Sequence, residues 1–285
     1  LITALIRLAR PRDWVKNVFV LAPLPFALAD GAVVDPLRFA LGFAAISLAG
    51  SAVYALNDVR DVELDRAHPH KRNRPVAAGL VPIGVALGFS AALAVAALSL
   101  GVAVGGTVTL LLGFYLAKDV IYNAGGKHLP LVDVFLISAG FLIRVLLGCA
   151  LVHVTPSNWL LLCTATLALF LALTKRRADV VLGMGTEQRP SLQGYNLDFL
   201  NHATAITAGI ALLSYALYSI EGGFFVKGRE LASLPFVAFC ILNYLRVAHL
   251  EGRGGDPMAL ALRDPSFSVA AAGWLAATGW SLGML

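Results

Sequence analysis

Residues 57–79 read NDVRDVELDRAHPHKRNRPVAAG, an island of charge in an apolar chain. It sets Asp58, Asp61, Glu63 and Asp65 beside Arg60, Arg66, Lys71, Arg72 and Arg74. The rest is greasy: the 285 residues are 58% hydrophobic and 14% charged, with mean hydropathy +0.78. Soluble domains carry about 25% charged residues. A soluble chain of this length could not hide so much apolar surface, so the main solvent is lipid.

A membrane helix needs about 20 mostly apolar residues. Working outward from the charged island, that length predicts nine spans, at roughly 15–31, 37–56, 83–101, 105–124, 131–152, 157–175, 199–220, 230–249 and 266–284. Long runs rich in Ala and Leu do not alternate as barrel strands do. The expected fold is therefore all-α: a polytopic transmembrane helical bundle of about nine helices, forming one integral-membrane domain over 1–285. The opening residues lack the apolar core and small-residue cleavage site of a secretion signal. The chain begins without Met, so a few residues are expected to precede it.

With the N-terminus placed in the cytoplasm, 18 of the 22 Lys and Arg fall on cytoplasmic segments. Arg38, Lys227 and Arg229 fall opposite, and Arg144 lies inside a span. This positive-inside bias puts the polar clusters at the cytoplasmic face of the plasma (inner) membrane. The formal charge of +5 is dispersed between apolar spans, which points to membrane lipids and anionic ligands and away from nucleic acid. Cys149, Cys163 and Cys240 are too few and too scattered for a disulfide framework or a zinc site.

Read as a helix continuing the second span, Asn57–Asp65 places Asp58, Asp61 and Asp65 on one stripe, because steps of three and four return to the same face. Three close carboxylates repel, and a divalent cation resolves the conflict. Oxygen-only ligands suit Mg2+, with Mn2+ the other candidate, and Mg2+ is commonly held by one or two carboxylates plus substrate phosphates. Pro69 and Pro75 break the helix; Arg72 and Arg74 offer forks for phosphate oxygens. The competing reading is a solvated loop with salt bridges. His68 and His70 are read as loop residues, since an oxygen-rich site does not favour imidazole.

NDVRDVELDR resembles the NDxxDxxxD signature of the UbiA superfamily, helical intramembrane transferases that use Mg2+ to activate a diphosphate substrate. Four further stretches resemble its polyprenyl-phosphate (decaprenyl-phosphate) phosphoribosyltransferase branch: RPRDWVKNVFVLAPL (10–24), YNAGGKHLPLVDVFLISAGFLIRVLLG (122–148), LFLALTKRRADV (169–180) and RPSLQGY (189–195). GGDPMALALRD (254–264) fits a later loop of the same branch. Gly126 stands where that branch has Leu, and Asp179 where it has Glu.

Aromatic prenyltransferases of the superfamily carry a second acidic motif, DxxxD, where this chain reads Lys175-Arg176-Arg177-Ala178-Asp179. Cationic residues there favour direct phosphate binding by Lys175 and Arg176 over a second metal.

The resemblance implies transfer of 5-phosphoribose from phosphoribosyl diphosphate to a polyprenyl phosphate in cell-envelope glycolipid synthesis. Asn57, Asp58, Asp61 and Asp65 would hold the metal. Lys16, Asn17, Arg72, Arg74, Lys127, Asp133, Arg144, Lys175, Arg176, Asp179, Arg189 and Tyr195 would form the substrate-binding set. Asp133 and Arg144, eleven residues apart, should share a helix face, and a buried Arg is expected to pair or to line a polar cavity. Lys118 and Asp119 read as an intrahelical charge pair, and Trp14 as an interfacial anchor. A homo-oligomer is a candidate assembly. The rival functions are an aromatic prenyltransferase with a prenyl diphosphate donor, a transporter, and a membrane scaffold. A transporter would set its charges near the bilayer midplane, whereas here they cluster at span ends.

Overall fold

A computed structural model describes residues 1–69, 71–185, 190–250, 255, 260 and 263–284. The described residues are helical, with no strand among them. They divide into two compact units. Among the described residues, five helices are long and apolar enough to cross a membrane: 36–60, 83–104, 132–151, 158–181 and 197–221.

The first unit comprises residues 1–24, 33–126 and 143–154. It holds α1 (Ile2–Ala9), a 3-10 segment (Pro11–Leu21), α3 (Pro36–Arg60), α4 (Val62–Ala67), α5 (Ile83–Val104) and α6 (Gly106–Ala124). The short α2 (Leu24–Ala29) falls almost wholly in the second unit. Helix α3 starts at Asp35, whose carboxylate accepts from the Leu37 and Arg38 N–H groups, with Pro36 preorganised in the first turn. Its buried face is built largely of small residues, Gly42, Ala45, Ser47, Ala49, Gly50, Ser51, Ala52 and Ala55, which lets neighbouring backbones approach closely. A Cβ at Gly148 would overlap the Val20 carbonyl, so the 3-10 segment is pressed against that glycine. The core gathers Val20, Ile46, Val108, Leu112, Leu147 and Leu151.

The predicted first span, 15–31, is not one helix. Residues 11–21 wind as 3-10 and 24–29 as a separate α turn. Pro23 and Pro25 lack N–H donors and restrict the residues before them, which ends the winding there. The charged island also departs from an unbroken helix. Helix α3 stops at Arg60, Asp61 takes φ −95° and ψ 11°, and α4 begins at Val62. Asp61 N–H still donates to the Asn57 carbonyl and Asp65 N–H to Asp61, so the helical stacking of the acidic residues survives the joint.

The second unit comprises residues 25–32, 127–142 and 155–285. Helix α7 (Val132–Leu151) contributes residues 132–142 to it and its remainder to the first unit. The other helices are α8 (Asn158–Val181), α9 (Leu197–Glu221), α10 (Leu234–Leu250) and α11 (Pro265–Ser281). Ser157, Asn196 and Asp264 cap α8, α9 and α11 with their side chains. Phe170, Ala208, Ile241, Tyr244 and Val247 form one core cluster, and Val134, Leu173, Leu192, Tyr195 and Leu200 another. Helix α8 runs through Val181, so Lys175–Asp179 forms its last turns and not a loop beyond a span ending at 175. Arg176 and Asp179 then stand three residues apart on one face and pair.

Candidate diphosphate and metal site

At the C-terminal end of α3, Asp58 is 1% exposed. Its Oδ1 accepts from Arg10 Nη2 at 2.5 Å and lies 3.2 Å from Arg74 Nη1. The same Arg74 nitrogen donates to Asp65 Oδ2 at 2.7 Å, so one guanidinium bridges two buried carboxylates. Arg10 reaches Asp58 from the junction of α1 and the 3-10 segment, where its backbone is left-handed at φ 50°. A non-glycine residue in that region carries strain of about 1–3 kcal/mol, which the surrounding contacts must hold.

Asp58 Oδ2 is enclosed and has no hydrogen-bond partner among the described residues. A buried, unpartnered carboxylate oxygen is costly and is the kind of donor a hard cation takes. The described residues contain no group of three or more His, Cys, Asp or Glu close enough to hold a metal by themselves. The donor set therefore fits a cation that draws its remaining oxygens from a substrate's phosphates. Asn57 and Asp61 are half-buried beside it, and Arg72 is exposed.

One turn back from Asp58, Tyr54 carries two cations near its ring, Arg10 at 5.0 Å and Lys16 at 5.4 Å from the centroid. Lys16 Nζ bonds the Tyr54 hydroxyl at 3.0 Å and Asp13 at 2.6 Å. Deeper in the same unit, Arg144 Nε donates to Asn17 Oδ1 at 2.8 Å and its Nη2 to the Tyr115 hydroxyl at 3.0 Å. Asn17 Nδ2 in turn donates to Ser47 Oγ. Lys118 sits 4.8 Å from the Tyr115 ring centroid and pairs with Asp119 at 2.6 Å, the intrahelical pair expected from sequence. Trp14 turns inward: its Nε1 donates to Ser51 Oγ at 3.0 Å. Its ring helps line an apolar cavity of about 730 Å3 with Leu21, Phe39, Phe43, Ser47 and Leu48.

In the second unit Asp133, fully buried in the first turn of α7, is the hub. It accepts from Arg176 Nε at 2.7 Å, Ser191 Oγ at 3.0 Å and Tyr195 OH at 2.8 Å. Arg176, 1% exposed, also lies 3.3 Å from Asp179 Oδ2. Tyr195 accepts from the Leu131 N–H, steadying a left-handed turn at φ 64°. Burial, above all, holds the Tyr195 phenol above its ordinary value. Arg177 bonds Asn201 and the Ala248 carbonyl. Lys175 is exposed, and Lys127 is half-buried in the 3-10 turn Gly126–His128.

The sequence-derived set thus separates by unit. Asp58, Asp65 and Arg74 meet directly, and Lys16, Asn17 and Arg144 join polar networks in the same unit. Asp133, Arg176, Asp179 and Tyr195 form a closed charge network in the other. Arg176 is engaged by carboxylates, and Asp133 and Arg144 share α7 while taking different partners. Arg189 and His70 lie outside the described residues. Arg10, Tyr54, Tyr115 and Ser191 were missed. Tyr54 carried a usable signal, its i,i+4 spacing to Asp58.

Residues 17–182 match the UbiA prenyltransferase family. The chain belongs to that family. This UbiA-family chain is 36% identical to a decaprenyl-phosphate phosphoribosyltransferase of Corynebacterium glutamicum, over 95% of its own length and 84% of the relative's. A relative of the same name from Mycobacterium tuberculosis is also 36% identical, over 98% of this chain and 94% of that one. A UbiA homolog from Archaeoglobus fulgidus, solved bound to GPP and Mg2+, superposes with TM-score 0.74 at 15% identity, covering 98% of this chain and 99% of that one. The last likeness bears on the fold alone. The chain is an integral membrane transferase of the UbiA family.

Proposed function

We propose that this transferase moves 5-phosphoribose from phosphoribosyl diphosphate to a polyprenyl phosphate and releases diphosphate, as one domain over 1–285. Its active end would face the cytoplasm from the inner membrane, and its product would feed cell-envelope glycolipid synthesis. The observation that carries the reading is the pair of buried carboxylates bridged by Arg74, with an oxygen of Asp58 left unpartnered. It lies in a chain whose near full-length relatives bear the phosphoribosyltransferase name.

In this scheme Asp58, Asp61 and Asp65, with Asn57, would hold Mg2+ or Mn2+ together with oxygens of the donor's diphosphate. The ion, when bound, supplies Lewis-acid neutralisation of the charge on the leaving oxygens. Arg74 and Arg10 balance the charge of the buried carboxylates before the donor arrives, and Arg72 and Lys16 would offer cations to the diphosphate. The bond from ribose C1 to the diphosphate oxygen breaks, and its electron pair leaves with diphosphate. An anionic oxygen of the lipid phosphate attacks C1 from the opposite face and forms the new bond. That oxygen is already deprotonated near neutral pH, so no general base is required. Catalysis then rests on placement. The apolar cavity beside Trp14 is assigned to isoprenoid units of the acceptor. Lys127, Lys175 and Arg189 are retained as phosphate contacts, while Arg176 acts by holding Asp133 and Asp179.

Diphosphate release by the purified protein tests the reading. It should require phosphoribosyl diphosphate, a polyprenyl phosphate and Mg2+ together. Release that depends instead on a prenyl diphosphate and an aromatic acceptor would establish the aromatic prenyltransferase alternative.

A further inference from the structure

Enclosed polar atoms with no partner among the described residues are few, and two of them stand one turn apart on α6: Asp119 Oδ2 and Asn123 Oδ1. Asp119 is 8% exposed and Asn123 7%. They share a face of the helix, with about 5–6 Å between Cβ atoms at this spacing. Their end of α6 lies against the Asp58 end of α3 in the same unit, since Arg60 Nη1 donates to the Asn123 carbonyl at 3.1 Å. One turn earlier on α6, Tyr115 is packed against Gly50 of α3, its hydroxyl 3.7 Å from where a Cβ would stand.

The local charge argues for a neutral donor. Lys118 already compensates Asp119 through Oδ1 at 2.6 Å, and Asn123 adds an uncharged acceptor. A second cation gains little there. Two hydroxyl groups on adjacent carbons would satisfy both oxygens, each donating one O–H. The Asp119 side chain retains 12% exposure.

We infer that Asp119 and Asn123 recognise the vicinal 2- and 3-hydroxyls of the donor's ribose, and so select a ribosyl over a prenyl diphosphate. The inference rests on the proposed donor. A prenyl group carries no hydroxyl and would leave both acceptors unpartnered. Sites built to bond a substrate hydroxyl reject analogues that lack it.

The test is steady-state transfer by the full chain in detergent, with Mg2+, polyprenyl phosphate and three donors: phosphoribosyl diphosphate and its 2-deoxy and 3-deoxy analogues. The wild type should use each deoxy donor with kcat/KM about 10- to 100-fold lower. Asn123→Ala and Asp119→Ala should lose a similar factor on the parent donor and less than about 3-fold on the matching deoxy donor. Equal use of all three donors by the wild type would overturn the inference, and needs no variant to fold. Variants that lose equally on every donor would overturn it too, marking the pair as structural. No transfer from phosphoribosyl diphosphate, with transfer from a prenyl diphosphate, would refute the donor reading itself.

Discussion

Arg176→Met separates two roles for the cationic end of α8. Asp133 is fully buried, and the Arg176 guanidinium 2.7 Å away is the cation that balances it. Met keeps the aliphatic stem and removes the charge. Asp133 then keeps neutral donors, the Ser191 and Tyr195 hydroxyls and the Val134 N–H, and Asp179 loses the same guanidinium. Removing one partner of a buried ion pair costs about 3–5 kcal/mol. At about 2–4 °C per kcal/mol for a chain of this size, the midpoint should fall by roughly 6–20 °C. The assay is size-exclusion of detergent-solubilised protein after a heating series without substrate. The double variant Asp133→Leu with Arg176→Met should recover much of the loss, because an apolar pair leaves no buried charge uncompensated. If Arg176 serves a substrate phosphate and not Asp133, the single variant would keep its midpoint within about 2 °C and raise KM. That result would refute the assignment.

Asp58→Asn should keep the fold, since Arg74 still bonds Asp65. Its kcat/KM should drop on the order of 10²- to 10³-fold with a raised Mg2+ requirement, measured by metal titration of diphosphate release. Gly148→Ala sets a methyl against the Val20 carbonyl, a backbone atom that cannot swing aside. Thermal unfolding should show a loss of about 1–3 kcal/mol. Burial raises the Tyr195 phenol in the folded state, so its contribution to stability is full below about pH 10, the unfolded value, and lost as pH climbs toward the folded one. Midpoints taken from pH 8 to 11 should fall less steeply for Tyr195→Phe than for the wild type.

Composition made the all-helical membrane fold legible, because lipid demands long runs of self-bonded backbone. The acidic stripe was legible for a related reason: Asp58, Asp61 and Asp65 are three and four residues apart, and helix geometry turns that spacing into proximity. What spacing cannot show is a partner far along the chain. Asp133 and Arg176 are 43 residues apart, so the cationic run looked free for phosphate when one of its arginines was already engaged. Helical phase likewise put Asp133 and Arg144 on one face but could not show that Arg144 bonds Asn17 and Tyr115. Arg10 stood within a quoted motif and the cytoplasmic basic set without a site role, because its left-handed backbone, from which it reaches Asp58, has no signature in an Arg-Pro dipeptide. The 3-10 winding of residues 11–21 was hidden by apolar content long enough for a span, with Pro23 and Pro25 as the overlooked signals.

Mass spectrometry of the lipid product reads the transferred group itself. Purified protein is incubated with phosphoribosyl diphosphate, a polyprenyl phosphate and Mg2+. From the proposed transfer, a lipid heavier by one phosphoribosyl group is expected, formed in step with one diphosphate per lipid, and on the order of 10²- to 10³-fold more slowly by Asp58→Asn. A polyprenyl phosphate recovered unchanged, alongside a prenylated aromatic acceptor when a prenyl diphosphate is supplied, would contradict it.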